Sequence, residues 1–279
     1  MTDSNTTDRS DRVRELQAQL EQQVSELVTG EDWAAMLQTA SRFHRYSANN
    51  VMLIMMQRPD ATRVAGFNAW KQFNRYVRRG EHGIRILAPC TYKVEGDDGD
   101  ERWILRGFKV VTVFDVSQTE GEDLPGDIRP ELVEGQAPTG LWESLAQQIA
   151  TAGFELVRGD CGGANGRTDY STLTVTVRDD VDDAQACKTL AHELGHILLG
   201  HQSRLASGCR GVLEVEAESV AYIVAQAAGL DCSRYSLPYV AHWAAGDVSV
   251  VRQTAERVVS VAGAILAALE GAERALVAA

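Results

Sequence analysis

The sequence predicts an α+β protein of two domains. Three observations carry this: helical periodicity at both ends, alternating strands near the middle, and a Pro- and acid-rich stretch at residues 119–139 holding three of the six prolines. At 279 residues the chain can bury a sizeable core, and length alone favours one or two domains. Its 44% apolar and 24% charged residues are those of an ordinary globular protein, which excludes collagen-like, wholly disordered and membrane classes.

The elements follow in order. Residues 1–10, "MTDSNTTDRS", lack apolar pattern and are expected to be a disordered tail. Residues 11–118 form the first expected domain. Helical spacing runs from Asp11 and breaks at Thr29-Gly30, and Glu31-Asp32 supply acids for a second helix start. A third helix, "SANNVMLIMMQ", stops before Pro59. "AGFNAWKQFNRY" is helical in spacing, and "RRGEHG" turns the chain into strands "IRILAP", "TYKVEG" and "RWILRGFKVVTVFDVS", with "GDDGD" as a hairpin turn. Residues 119–139 read as a linker. Residues 140–279 make a second, mainly helical domain with a small sheet: helix "GLWESLAQQIATAG", a glycine-rich turn "RGDCGGANGRTD", strand "STLTVTVRD", then two long helices around His192 and Glu214.

No apolar segment near the start resembles an export signal, and the apolar run from Val258 to Leu269 is too short to span a bilayer. The five cysteines are odd in number and never paired as Cys-x-x-Cys, which points to neither a disulfide framework nor a cysteine metal site. A reducing cytoplasm, without a membrane partner, is expected.

The chemistry concentrates in "KTLAHELGHILLGH", Lys188 to His201. Residues four apart share a helix face, so His192 and His196 can present ring nitrogens to one metal ion, with Glu193 beside it as the base for a water. A third ligand is required. One zincin pattern takes it from a histidine six residues after the second, following a glycine. Here Leu199 occupies the glycine place, and His201 falls one residue short, so it is read as a capping or surface histidine.

The next helix, "VLEVEAESVAYIVAQAAG", is apolar almost all round, and carboxylates buried there need partners. Glu214 and Glu218 are four apart on one face with Ala217 and Ala221, small enough to admit a close neighbour, whereas Glu216 points away. Glu214 is assigned as third ligand and Glu218 as the carboxylate behind a ligand imidazole. An acidic helix start stabilised by its dipole is the alternative. Zn2+ suits such a set, and another divalent metal would also fit. An oxyanion stabiliser is sought among Tyr235, Tyr239 and His242.

"AHELGHILLGH" followed by "EVEAESVAY" resembles the His-Glu-x-x-His and Glu-x-x-Ala-x-x-Phe-Ala signature of zincin-like metallopeptidases of the ImmA/IrrE type, with Val220 in place of phenylalanine. The resemblance covers about the last 140 residues. It implies a zinc-dependent peptidase acting on an unknown protein substrate.

Local charge points elsewhere. The whole chain carries −12, yet Ser41 to Lys93 holds ten basic residues against Asp60 and Glu81, 10 − 2 = +8. Such an island is an electrostatic footprint for phosphates. Phe67, Trp70, Phe73 and Tyr76 are interleaved with it, a pattern that suits single strands whose bases can stack. Trp70 and Phe73 are instead read as the buried face of a helix. Lys71, Arg75, Tyr76, Arg78, Arg79 and Arg85 are the expected nucleic-acid contacts.

The stretch "YSANNVMLIMMQRPDATRVAGFNAWKQFNRYVRRGEHGIRILAP", with "VFDVSQTEG", resembles the N-terminal single-stranded-DNA-binding domain of ArdC-type antirestriction proteins, over about Arg14 to Gly121. The resemblance implies a protein of mobile elements that protects incoming DNA and carries a metallopeptidase-like domain behind its DNA-binding one. Two rivals remain: a DNA-binding protein whose metal is structural, and a regulatory protease that cleaves a repressor.

Overall fold

The structure is a computed structural model that describes residues 3–26, 30–95, 101–122, 124, 136–204, 210–230 and 248–277. It mixes helices with three small sheets and divides into two compact units, residues 1–26 with 49–126, and residues 27–48 with 127–279.

In the first unit, α1 (Asp3–Glu26) buries Leu16, Leu20 and Val24, each four residues after the last, and packs on the strand Glu101–Asp115. It begins at Asp3, so residues 3–10 are helical and not the expected disordered tail. Helix α3 (Ala48–Gln57) buries Val51 to Ile54. The sheet has the order β1-β4-β3, all antiparallel, from β1 (Val64–Gly66), β3 (Ile84–Glu95) and β4 (Glu101–Asp115).

The outer edge of β3 bonds to side chains of α3. Asn50 donates to and accepts from the Leu87 backbone at 2.9 Å, and Gln57 does the same with Arg85 at 2.8 and 2.9 Å. Backbone groups at an open edge are thereby satisfied. The hairpin expected around "GDDGD" is present as the pairing of Glu95 with Glu101, while residues 96–100 lie outside the described residues.

The helical spacing through Tyr76 persists only over α4 (Phe67–Gln72). Asn74, at φ 53°, turns the chain into β2 (Arg75–Val77), which pairs with β5 (Thr119–Gly121). Residues 119–121, expected in the linker, are therefore part of this unit, and residues 125–135 of that stretch lie outside the described residues. Asp115 holds the corner before β5. Its carboxylate accepts from the Thr62, Arg63 and Ser117 backbone N–H groups at 2.8, 3.0 and 2.9 Å and from the Ser117 hydroxyl at 2.6 Å.

The second unit contains α2 (Gly30–Arg42), expected in the first domain. It buries Trp33, Met36, Leu37 and Ala40 against α8 (Arg210–Ala227), and the Trp33 indole donates to Ser219 Oγ at 2.9 Å. A helix this amphipathic packs on whichever face complements it, and local spacing does not name that face. Helix α5 (Leu141–Thr151) precedes a sheet of order β6-β8-β7, formed by β6 (Glu155–Arg158), β7 (Gly166–Asp169) and β8 (Thr174–Val177). The expected strand is β8. Strands β6 and β7 are too short and too exposed to show alternation, and β7 falls inside the glycine-rich stretch read as a turn.

Helix α6 (Asp183–Leu198) starts where the Asp182 carboxylate caps the Gln185 N–H at 2.7 Å. Helix α8 packs on it, and Gly195 lies so near Ala217 that a Cβ there would sit 3.4 Å from its Cα. Helix α9 (Val248–Val277) buries Val251, Ala255, Val258, Ala262 and Ile265 within this unit. None of the helices among the described residues is long and apolar enough to cross a membrane.

Candidate functional site

The spacing of His192 and His196 on α6, with Glu214 and Glu218 on α8, converges at one point. His192 Nε2 and His196 Nε2 are 3.0 Å apart, and Glu214 Oε2 is 3.5 Å from the first and 3.6 Å from the second. The three residues form a group that could hold a metal ion. Ligand atoms about 2.0–2.2 Å from one tetrahedral ion stand roughly 3.3–3.5 Å apart, close to these separations.

The protons support the same fit. Glu218 Oε2 lies 2.9 Å from His192 Nδ1, and a carboxylate only accepts, so the ring proton is on Nδ1 and Nε2 carries a lone pair. Glu218 also faces Lys188 at 3.5 Å. His196 Nδ1 lies 2.7 Å from His201 Nδ1, and His201 Nε2 lies 3.0 Å from Glu216 Oε2. Glu216 fixes the His201 proton on Nε2, His201 Nδ1 then accepts from His196 Nδ1, and His196 Nε2 also carries a lone pair. With both rings neutral, three acceptors thus meet with no donor between them, an arrangement that a cation or a proton relieves.

Without a cation, a proton takes part of that role. Burial resists charging His192, but Glu214 and Glu218 outweigh it and push its pKa up to about 9. The two histidine rings beside it hold the Glu214 carboxyl well below its ordinary range.

His201 is not the surface histidine expected. Helix α6 ends at Leu198, Gly200 takes φ 66°, and α7 (His201–Arg204) returns the ring into the interior, where it is 1% exposed. Burial, against the pull of Glu216, keeps the His201 pKa below its usual value. Glu216, 0% exposed, receives Arg204 Nη1 at 2.5 Å and Arg257 Nε at 2.7 Å. Burial opposes its charge, and His201, Arg204 and Arg257 nevertheless hold its pKa at about 2.

Glu193 is 6% exposed and its Oε2 accepts from Thr168 Oγ1 on β7 at 2.6 Å. Gly166 on the same strand approaches so closely that a Cβ would lie 2.8 Å from Glu193 Oε1 and 2.5 Å from Thr189 Cγ2. The two β7 residues therefore confine Glu193, and sequence reasoning named neither of them. Only the glycine within a turn-like stretch could have hinted at it. These residues open on a cleft of about 610 Å³, also lined by Arg167, Tyr170 and Lys188. The Tyr170 hydroxyl is buried and has no hydrogen-bond partner among the described residues, and burial with the nearby Glu193 charge pushes its pKa up to about 12. Tyr235, Tyr239 and His242 lie outside the described residues.

In the first unit the expected contacts separate into two kinds. Arg75 is tied down by Thr119 Oγ1 at 2.8 Å, the Thr119 carbonyl and the Glu122 carbonyl, and Arg78 by Glu81 and the Ser117 carbonyl, each at 2.7 Å. Both brace the β2–β5 corner. Lys71, Tyr76, Arg79 and Arg85 are exposed, and Lys71 Nζ lies 4.9 Å from the Phe67 ring centroid. Of the aromatic series Trp70 is buried at 2%, while Phe67, Phe73 and Tyr76 are 48%, 53% and 55% exposed. Phe73 is therefore not the core residue its spacing suggested, because the helix ends one residue before it.

Residues 9–122 match the family model of the N-terminal domain of anti-restriction factor ArdC. A solved structure, the metal-free antirestriction ArdC protein from plasmid R388, aligns over 81% of this chain and 84% of that one, with 18% identity and a TM-score of 0.53. That likeness shows a shared fold. The Mn(II)-bound structure of the same protein aligns over 80% and 85%, with 20% identity and a TM-score of 0.49. An uncharacterized Bacillus anthracis protein, pXO2-81, is 26% identical over 255 residues, covering 76% of this chain and 43% of that protein. The chain thus spans less than half of that relative's length.

Proposed function

We propose that this chain is an ArdC-type antirestriction protein that binds single-stranded DNA through its first unit and carries a divalent-metal-dependent peptidase centre in its second, with Zn2+ as the metal. The antirestriction part rests on the match of residues 9–122 to the ArdC N-terminal domain. The peptidase part rests on one observation above all: three lone-pair donors, His192 Nε2, His196 Nε2 and Glu214 Oε2, meet beside a cleft with a confined carboxylate next to them.

When bound there, a divalent cation would acidify a water and polarise a substrate carbonyl. Glu193, with Oε2 held by Thr168, keeps Oε1 to take a proton from water and return it to the leaving amine. Tyr170, which lines the cleft and whose neutral hydroxyl has no partner among the described residues, is the donor we assign to the developing oxyanion. Three protein ligands beside an open cleft support a catalytic over a purely structural metal. Location in the cytoplasm, with incoming DNA as the partner, belongs to the same reading.

The test is metal analysis of the full chain purified without added metal, followed by incubation of zinc-loaded protein with DNA-bound candidate proteins, with and without single-stranded DNA. Stoichiometric zinc and cleavage lost in Glu193→Gln are expected. Zinc-loaded protein that cleaves nothing, while still protecting DNA, would exclude the peptidase half.

A further inference from the structure

The metal reading accounts for His192, Glu193, His196, Glu214 and Glu218, but not for the chain of buried groups behind His196. His192 leans on a carboxylate, Glu218, whereas His196 leans on a second imidazole, His201. An imidazole can donate or accept, so unlike a carboxylate it does not by itself dictate which ring nitrogen of its neighbour holds the proton. The direction of the His196–His201 hydrogen bond must be imposed from further back.

Glu216 imposes it. Its Oε2 accepts from His201 Nε2, and its two oxygens are occupied by Arg204 from α7 and Arg257 from α9. The two guanidiniums hold the carboxylate in place, its Oε2 takes the proton of His201 Nε2, and His201 Nδ1 is left to accept from His196. A displaced Glu216 would no longer fix that direction, and His196 could then carry its proton on Nε2, where no metal can bind.

Resting on the metal reading above, we infer that Arg204 and Arg257 are positioning residues of the metal site: through Glu216 and His201 they set the tautomer of His196. Docking of α9 and retention of the metal are then linked, since Arg257 is the residue by which that helix reaches Glu216. The link works in both directions.

The experiment uses the full chain and measures Zn2+ affinity by competition with a chromogenic chelator, alongside histidine ring 15N spectra of the metal-free protein. The variants are Arg257→Gln, His201→Phe and, as a control on the same helix, Arg252→Gln. In the wild type His196 should be protonated on Nδ1 and His201 on Nε2. Arg257→Gln and His201→Phe should weaken Zn2+ binding about 10 to 100-fold, and Arg252→Gln should leave it unchanged. In Arg257→Gln the His196 ring should shift toward the Nε2–H form while His192, held by Glu218, keeps its proton on Nδ1. A general loosening of the fold would move both rings. If Arg257→Gln does not fold, His201→Phe decides, because it keeps the buried volume while removing the acceptor. Wild-type affinity in His201→Phe, or in a folded Arg257→Gln, overturns the linkage and leaves the metal site standing. Absence of Zn2+ binding by the wild type overturns both.

Discussion

The Nε2 atoms of His192 and His196 face each other at 3.0 Å, and with both rings neutral the partners of their Nδ1 atoms leave neither with a proton to share. Such a contact is unfavourable in an empty site and favourable around a cation. A ligand that binds only the folded state adds about 2.7 kcal/mol at a hundredfold excess over its Kd, roughly 5–10 °C for a domain of this size. Chelation should therefore lower the melting temperature of the second unit by several degrees and leave that of the first unaltered. His196→Ala should melt at the chelated temperature and ignore the chelator. Equal melts with and without chelator, in wild type shown beforehand to contain metal, would speak against the site.

The three carboxylates have separate expected phenotypes. Glu193→Gln keeps its place beside Thr168 and should retain zinc while losing hydrolysis, because the base and not a ligand is removed. Glu214→Gln should lose zinc. Glu218→Ala should bind it about 10 to 100-fold more weakly, since His192 loses its orienting partner. Zinc content and peptide cleavage measured side by side check the assignment. Zinc kept by Glu214→Gln and lost by Glu218→Ala would exchange the two roles.

Gly166 tests whether the placement of Glu193 matters. An alanine Cβ there would fall 2.8 Å from Glu193 Oε1 and 2.5 Å from Thr189 Cγ2, so one of them must move. Gly166→Ala is expected to keep metal, to cost about 1–3 kcal/mol in stability, and to cut turnover at least tenfold. Unchanged turnover in a variant that binds zinc would show that Glu193 is free to readjust.

That His192, His196, Glu214 and Glu218 come together was legible in the sequence because helical period alone decides which residues share a face, and His192/His196 and Glu214/Glu218 are both four apart. His201 was not. Its direction depends on Gly200 at φ 66°, and extending the helix past that glycine points the ring the wrong way. Gly166 and Thr168 lie on a strand of four residues whose only signal was a glycine in a polar stretch. Basic residues showed where positive charge clusters along the chain, but not which of them are held inside the fold, since the bonds of Arg75 and Arg78 to residues 117–122 join elements about 40 residues apart. The placement of α2 on α8 failed to show for the same reason: the contact of Trp33 with Ser219 spans 186 positions.

Asp115 should govern the acid stability of the first unit. Burial opposes its charge, yet the donors of Ser117, Thr62 and Arg63 prevail and hold its carboxyl below the usual aspartate range. A folded-state pKa depressed in this way gives stability that is fully present above the unfolded value, about 3.9, and lost as pH falls through the folded value. Asp115→Asn turns amide hydrogens toward those donors and should cost about 2 kcal/mol at neutral pH. Its melting temperature should also change less than that of the wild type between pH 5 and pH 3. Parallel acid profiles for the two proteins would remove Asp115 from the explanation.

The last expectation concerns DNA, and the structure alters which variants can test it. Charge reversal at Arg75 or Arg78 would break the bonds that brace the β2–β5 corner, so weakened binding there would not separate a direct DNA contact from misfolding. Lys71, Arg79 and Arg85 are exposed, and their removal leaves those braces intact. The combined change Lys71→Glu, Arg79→Glu and Arg85→Glu should preserve the melting temperature and weaken single-stranded DNA binding. It should also flatten the dependence of log K on log salt by up to about 0.7 for each phosphate no longer neutralised. Tyr76→Ala and Phe73→Ala, which remove half-exposed rings, should weaken binding by about 1–3 kcal/mol per stacked base at any salt concentration. Fluorescence anisotropy with single-stranded and duplex oligonucleotides across a salt series distinguishes the two contributions. Equal affinity for both forms, or a triple variant that binds as the wild type does, would place the nucleic-acid surface elsewhere.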